Sequence, residues 1–297
     1  MKYVITGGAG HISKPITEKL LAAGHSVTVI ARNAEHLKDL VAKGATAAIG
    51  SVEDVAFLKT VFNDADAVYT MVPPNYSAKD VKEFIGQVGK NYAEAITGSS
   101  IRFVVNLSSI GADLPKGCGP VSGLYRAEQA LNSLQDVHIK HVRAPYFFDN
   151  FFSNLDLIKT AGIMGSNFAI ASPRFPVGAT SDIANEIAEE LLNLDFTGHS
   201  ARYIASDEIG TTEIAAAVGK AIGKPDLQWI PFADSDALKG MLQAGLPEEM
   251  AKNYVEMGAA LNNGIMQSDY LAHRPSTFGK VKLNDFANAF AAAYKAN

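Results

Sequence analysis

The glycines near the N-terminus have the spacing of a dinucleotide-binding turn. An apolar stretch, residues 2–6, leads into Gly7, Gly8 and Gly10, and an amphipathic segment follows as far as residue 24. Glycines permit a tight turn and let a diphosphate approach the main-chain N–H groups at the start of the next helix. A strand-to-helix turn that binds nothing is the alternative. Two registers fit, Gly8-x-Gly10-x-x-Ser13 and Gly7-x-x-Gly10-x-x-Ser13, so the predicted contacts are Gly7, Gly8, Gly10, His11, Ile12 and Ser13.

The end of the predicted second strand indicates which dinucleotide binds. Residues 26–31 are rich in β-branched side chains, and Arg32 and Asn33 follow them. An NAD site usually has Asp or Glu here, to accept from the ribose 2′-OH. This chain has neither, whereas the guanidinium of Arg32 suits a 2′-phosphate and Lys14 adds a second positive charge. The sequence therefore favours NADP(H) over NAD(H), with a solvated Arg32 as the alternative.

Other chemistries lack their motifs. The seven histidines show no metal-ligand spacing, so no metal site is predicted. The chain has no Gly-x-Ser-x-Gly elbow for serine hydrolysis and no Gly-Lys-Ser/Thr phosphate loop. Its formal net charge is −5, and it has no basic run that would neutralise phosphates. We therefore expect neither a nucleic-acid partner nor a membrane surface.

Strands and helices alternate in the N-terminal half. The predicted strands after the first are residues 26–31, 46–50, 67–72, 102–107 and 139–143, and the intervening helices are residues 37–43, 52–62, 79–97 and 125–134. This order predicts a doubly wound parallel sheet with helices on both faces. Ligands of such sheets bind outside the carboxyl ends of the strands. The residues expected to line that site include Val72, Pro73, Pro74, Asn75, Ser108, Ser109, Pro145, Tyr146 and Phe147.

Helices dominate beyond residue 148. We predict helices at residues 182–194, 211–222, 234–244, 248–262 and 283–295, with short strands at 201–204 and 227–230. Residues 1–148 are thus expected to form a dinucleotide-binding core, and residues 149–297 a smaller, mainly helical cap that is partly interleaved with it. The aromatic group Tyr146, Phe147, Phe148, Phe151 and Phe152 either lines a pocket for a flat substrate or packs in the core.

Composition fits an enzyme-sized protein of the cytoplasm. The chain has 297 residues, 47% of them hydrophobic, which is enough for a large core. Cys118 is its single cysteine, so no internal disulfide is expected and a reducing compartment fits. No leader segment and no apolar stretch of about 20 residues is found.

With these motifs the chain resembles NmrA-like members of the atypical short-chain dehydrogenase/reductase superfamily. The resemblance rests on residues 6–13, 31–33, 65–68, 104–111, 143–150 and 181–184. The most specific stretch is Arg-x-Pro-x-x-Phe-x-x-Asn, here from Arg143 through Phe147 or Phe148 to Asn150. The resemblance implies a Rossmann core, NADP(H) binding and a cap domain, in a family that contains both reductases and cofactor-sensing regulators.

In contrast to most members of this superfamily, the chain lacks the usual catalytic lysine. Short-chain dehydrogenases pair a Tyr with a Lys four residues on, which stabilises the phenolate, and no Tyr-x-x-x-Lys is present. Tyr125 is followed at that spacing by Gln129. Many NmrA-like proteins place a Lys four residues before a Glu; if Glu128 is that Glu, Leu124 stands in its place. The resemblance leaves Tyr125, Ser109 and Ser108 as catalytic candidates, although a serine pair at a strand end also fits a turn or helix cap.

Two functional classes follow. The first is an NADPH-dependent reductase that transfers hydride to a small electron-poor acceptor, such as a quinone or enone, for which a strong proton donor is less necessary. The second is a non-catalytic NADP(H) sensor that acts through partner binding, which the missing lysine favours. We favour the reductase with a small aromatic or quinone-like substrate, because the chain has no tail or basic patch for a partner. A homodimer is left open.

Overall fold

The short apolar stretches of the chain form a seven-stranded parallel sheet in the computed structural model, which describes residues 1–296. Its strands are β1 (Lys2–Ile5), β2 (Ser26–Ala31), β3 (Thr46–Ile49), β4 (Ala67–Thr70), β5 (Phe103–Ser109), β6 (His138–Ala144) and β10 (His199–Tyr203). Their spatial order is β10-β6-β5-β4-β1-β2-β3. The chain reaches β3 on one side of β1 and returns to β4 on the other. A ligand-binding crevice is therefore expected beside β1, at the carboxyl ends of the strands.

Helices cover both faces of this sheet. They are α1 (Ser13–Ala22), α2 (Lys38–Ala42), α3 (Val55–Phe62), α4 (Val81–Ile96), α5 (Val121–Leu131) and α7 (Thr180–Asn193). Alternate residues of β1 point to opposite faces. Tyr3 and Ile5 belong to the apolar cluster that contains Ile187 of α7, while Val4 belongs to the cluster that contains Val88 of α4. The central strands of the sheet are buried on both sides, as their continuous apolar sequences predict, whereas the edge strand β3 is largely exposed.

The C-terminal half combines helices with two small sheets. Its other helices are α6 (Leu155–Ala161), α8 (Thr211–Ala221), α9 (Asp234–Gln243), α10 (Glu248–Asn262), α11 (Ser268–Ala272) and α12 (Leu283–Ala296). One sheet contains β7 (Tyr146–Phe147), β9 (Phe175–Gly178) and β11 (Asp207–Ile209); the other contains β8 (Met164–Ser166) and β12 (Trp229–Pro231). A third core holds Phe148 and Phe151, so these aromatic residues pack in the interior. β10 belongs to this half of the chain but pairs with β6 of the main sheet.

Several element boundaries differ from the sequence-based expectation. The helix expected from residue 125 begins at Val121, and the strand expected to end at residue 107 continues through Ser109. The helix expected from residue 52 begins at Val55, because Asp54 caps it by accepting from the N–H of Phe57 at 3.0 Å. Within residues 1–296, no helix has the length and apolar character needed to cross a membrane.

Candidate functional site

The glycine turn between β1 and α1 has the backbone that its sequence predicts. Gly7 and Gly8 have φ angles of +86° and +60°, which favour glycine. A Cβ on Gly7 would lie 2.5 Å from Oγ of the buried Ser13. The N–H of Gly8 donates to the carbonyl of Ile30 at 3.0 Å and so fixes the turn against β2. The turn therefore requires glycine at both positions.

The space above the turn and the start of α1 fits a diphosphate. A Cβ on Gly10 would meet only the carbonyl oxygen of Gly7, at 3.3 Å, so a side chain there would project into open space. Ile12 precedes α1 and provides no side-chain cap. In the first turn of α1, the N–H of Lys14 already donates to the Gly10 carbonyl at 3.0 Å and Pro15 has none, so the N–H of Ser13 is the one available to an anion. His11 is exposed and lies 3.5 Å from Asp149.

The end of β2 carries an unpaired guanidinium. Arg32 is exposed and forms no hydrogen bond or ion pair with any other residue of the range 1–296. Asn33 has a local role, since its Oδ1 accepts from the N–H of Glu35 at 2.9 Å. Lys14 Nζ lies 3.0 Å from Asp39 Oδ2, so this cation already has a partner. Of the two cations predicted to contact a 2′-phosphate, Arg32 is therefore the one without a partner among residues 1–296.

A cavity of about 370 Å³ opens at the carboxyl ends of β4, β5 and β6. Pockets of about 300–1,000 Å³ accommodate small ligands. Its core-side lining includes the predicted residues Val72, Pro73, Pro74, Asn75, Ser108, Ser109, Pro145, Tyr146 and Phe147. Its lining among the described residues contains no charged side chain. Such walls suit an uncharged, largely apolar ligand.

The two serines at the end of β5 differ in what they can donate. Ser108 Oγ donates to Glu128 Oε1 at 2.6 Å. Glu128 is buried, and Arg143 holds it through contacts of 2.8 and 3.1 Å. The single hydroxyl proton of Ser108 is thus committed to a carboxylate. Ser109 lines the same cavity and has no hydrogen-bond partner for its hydroxyl among residues 1–296, so its proton is available.

The Glu128–Arg143 pair is part of a buried network beneath the cavity. Arg143 Nη1 also donates to the Tyr203 hydroxyl at 2.8 Å and lies 3.2 Å from Asp269. Burial lowers the pKa of Arg143, but the hydrogen bond and charge of Glu128 outweigh it, so the net pKa is raised. The opposite charges of this buried ion pair compensate each other. The sequence offered Glu128 only as a marker of the missing lysine, and did not predict this pairing.

A second polar chain lies on the same face of β5. Asn106 accepts from Thr70 Oγ1 at 2.9 Å, and its Nδ2 lies 3.1 Å from His141 Nδ1. His141 Nε2 lies 3.0 Å from Asn132 Oδ1. Burial lowers the pKa of His141 from 6.5 to about 4, so the ring is neutral near pH 7. Burial likewise raises the pKa of Cys118 to about 11, so its thiol is not a nucleophile at neutral pH.

Tyr125 does not line the cavity. Helix α5 presents Pro120, Val121 and Leu124 to it instead. Tyr125 is half-buried and makes no hydrogen bond with the other described residues. Leu124, the position where the resemblance implies a lysine, forms part of the apolar wall. The structure thus brings Ser108 and Ser109 to the cavity but leaves the third catalytic candidate outside its lining.

The C-terminal half of the chain supplies cavity residues that the sequence did not predict. Met250, Tyr254 and Met257 come from α10, and Met266 from the segment after it. Their helical spacing of three and four residues is a detectable signal, but it is equally typical of a core-facing helix. The ion pair between Lys82 Nζ and Glu256 Oε2, at 2.5 Å, joins α4 to α10 beside the cavity. Among residues 1–296, no cluster of His, Cys, Asp or Glu could hold a metal ion.

Comparison with known proteins agrees with this geometry. The sequence model of an NAD(P)H-binding family matches residues 7–144. An uncharacterized protein of Schizosaccharomyces pombe is 26% identical over 245 residues, which covers 76% of this chain and 82% of that protein.

Solved structures of three bacterial proteins share the fold. They are a nucleoside-diphosphate-sugar epimerase from Staphylococcus aureus (TM-score 0.78, 97% of this chain and 100% of that one), an NADPH-dependent quinone oxidoreductase from Escherichia coli complexed with NADPH (0.78, 97% and 99%), and the Citrobacter sp. triphenylmethane reductase complexed with NADP(H) (0.76, 97% and 99%). Each is 16% identical to this chain. The chain thus has a Rossmann-like fold, and residues 7–144 carry the pattern of an NAD(P)H-binding domain.

Proposed function

We propose that this protein is an NADPH-dependent oxidoreductase that reduces a small, uncharged, electron-poor acceptor such as a quinone or enone. The observation that carries the proposal is the cavity of about 370 Å³ at the strand ends beside the glycine turn, whose described lining is free of charged side chains. The glycine turn and Arg32 suit a 2′-phosphorylated dinucleotide, and the cavity suits an apolar acceptor.

The chain's own residues divide the task of binding the cofactor. The turn from Gly7 to Ser13 and the start of α1 would hold the diphosphate, and Arg32 would hold the 2′-phosphate. Val72 to Pro74, Pro145 and Phe147 would line the nicotinamide end, and Tyr146, from the same predicted segment, would border the acceptor. When bound, NADPH supplies the hydride, so the protein need only position the acceptor and exclude water.

The cavity walls explain why an uncharged acceptor is favoured. A charged substrate would lose its hydration among side chains such as Leu124, Met250 and Met257 without gaining an ionic partner. A polarised carbonyl, in contrast, needs only a hydrogen-bond donor. Ser109 offers one from the end of β5, in place of the Tyr-Lys pair that this chain lacks. The Escherichia coli and Citrobacter reductases support the proposal by their fold.

A cofactor sensor is the second candidate, favoured by the lack of a charged side chain in the described lining. Titration with NADPH and turnover with a panel of menadione, an enone and an aldehyde separate the two classes. We expect NADPH to bind and to be consumed in step with reduced product for at least one acceptor. Binding without consumption of NADPH for any acceptor would refute the reductase and support the sensor. Failure of NADPH to bind would refute both.

A further inference from the structure

The hydroxyl of Tyr146 is a polar group in the cavity with no partner from the protein. Tyr146 lines the cavity, and its hydroxyl makes no hydrogen bond with any residue of the described range. Three buried tyrosines use theirs: Tyr3 donates to the Leu191 carbonyl at 2.8 Å, Tyr92 to the Met71 carbonyl at 2.7 Å, and Tyr270 to Glu208 at 2.7 Å. The hydroxyl of Tyr69 also has no partner, but it is enclosed in the core and outside the cavity lining. The Tyr146 hydroxyl is not fully enclosed, so a ligand in the cavity can accept the hydrogen bond that the protein leaves unmade.

Aromatic packing fixes where this hydroxyl points. The Tyr146 ring contacts those of Phe151, Phe168 and Phe175, with centroid distances of 5.2, 5.8 and 5.9 Å. Its backbone lies in β7, where Tyr146 pairs with Val177. The ring therefore has little freedom to rotate toward another partner. A donor held this rigidly requires little reorganisation when a ligand binds.

Tyr146 shares the cavity with Tyr254 of α10. Burial raises the pKa of Tyr146, and the charge of an ionised Tyr254 adds to the effect. Tyr254 belongs to α10, which forms the cap wall with Met250 and Met257. Tyr146 is therefore a neutral donor at neutral pH, and its hydroxyl is close enough to α10 for the two tyrosines to interact.

We propose that Tyr146 donates a hydrogen bond to the carbonyl oxygen of the acceptor and is the main polar determinant of its orientation. The inference rests on the proposed function and deepens it, since it restricts the favoured acceptors to those with a carbonyl oxygen. Reduction adds one hydride and one proton to the acceptor, and negative charge develops on its oxygen before a proton arrives from water. The donor is most effective at that stage.

The test is Tyr146→Phe, which removes one oxygen atom and keeps the ring packing. We expect kcat with menadione to fall about 10- to 100-fold, the effect of losing one hydrogen bond to a developing charge. Benzylidenemalononitrile is an uncharged, electron-poor alkene that accepts hydride at carbon and has no carbonyl oxygen. With that alkene as acceptor, we expect the variant to retain the wild-type rate. Tyr294→Phe, in the partly exposed C-terminal helix α12, is the matched control and should leave both rates unchanged.

Binding measurements keep the inference separate from the proposed function. NADPH affinity should be the same in Tyr146→Phe and wild type, and menadione should bind the NADP⁺ complex of the variant about two- to tenfold more weakly. If the wild type reduced no acceptor, the proposed function would fail, and menadione binding would still decide the role of Tyr146. Equal menadione rates and affinities in the two proteins would overturn the inference. So would a loss of NADPH affinity, because the hydroxyl would then serve the cofactor.

Discussion

Removal of the Arg32 guanidinium should weaken binding of NADPH and leave binding of NADH unchanged. Arg32 is exposed at the end of β2 and has no partner within residues 1–296, so no internal contact must break before it engages a 2′-phosphate. A hydrogen bond between charged groups contributes about 1.5–3 kcal/mol. Solvent exposure places this one at the low end of that range, which corresponds to about a tenfold change in Kd.

Fluorescence titration of Arg32→Ala with each cofactor measures this change. Arg32→Asp should go further and reverse the preference, because a carboxylate repels the 2′-phosphate and accepts from a 2′-OH. Arg102→Ala is the matched control: Arg102 is also exposed, but it precedes the amino end of β5, whereas Arg32 follows the carboxyl end of β2. Lys14→Ala should have the smaller effect, since Asp39 already pairs with Lys14. Equal NADPH and NADH affinities in the wild type, or an unchanged ratio in Arg32→Asp, would refute the assignment.

Three further predictions concern the turn, the helix and a buried histidine. Gly10→Val should abolish cofactor binding but not folding, because its side chain would enter the open space above the turn; a folded variant that still binds NADPH would place the cofactor elsewhere. Tyr125→Phe should retain wild-type turnover, since Tyr125 is outside the cavity lining, and a loss of more than about tenfold would contradict this placement. Burial lowers the pKa of His141 from 6.5 to about 4, so its stabilising contribution is complete above pH 6.5 and is lost as the pH falls to about 4. As the pH is lowered from 6.5 to about 4, this group should reduce the free energy of unfolding by up to about 3 kcal/mol. The pH dependence of the unfolding free energy should be weaker in His141→Gln and unchanged in the control His36→Gln, since His36 is exposed.

The sequence predicted the parts of the fold whose signals are local. Glycines with positive φ, β-branched strands and regular helical periodicity define the Rossmann-like half, and α10 was predicted with its observed bounds. The small strands β7, β9 and β11 were not predicted. β9 contains a proline and a glycine within four residues, and β7 is two residues long, so tertiary pairing rather than propensity forms them.

The candidate site was predictable only where strand ends define it. Ser108 and Ser109 were identified from their place at the carboxyl end of the predicted fifth strand, but the sequence could not show that Ser108 donates to Glu128 while Ser109 does not. That difference depends on Arg143, which lies on β6 and reaches Glu128 only in the folded sheet. The rotation of α5 likewise turns Leu124 into the cavity and leaves Tyr125 outside it. Which of two adjacent helix residues faces a cavity depends on how the helix packs against its neighbours, and the sequence alone does not give that packing.

The central claim is that an uncharged acceptor is reduced in a cavity without charged walls. Its most direct test compares NADPH-dependent reduction of menadione with that of a sulfonated naphthoquinone of similar ring size. We predict turnover of menadione and a kcat/KM at least about 100-fold lower for the sulfonate, because burial of its charge among these side chains has no ionic compensation. Equal kcat/KM values for the two quinones, or reduction of the sulfonate alone, would contradict the account.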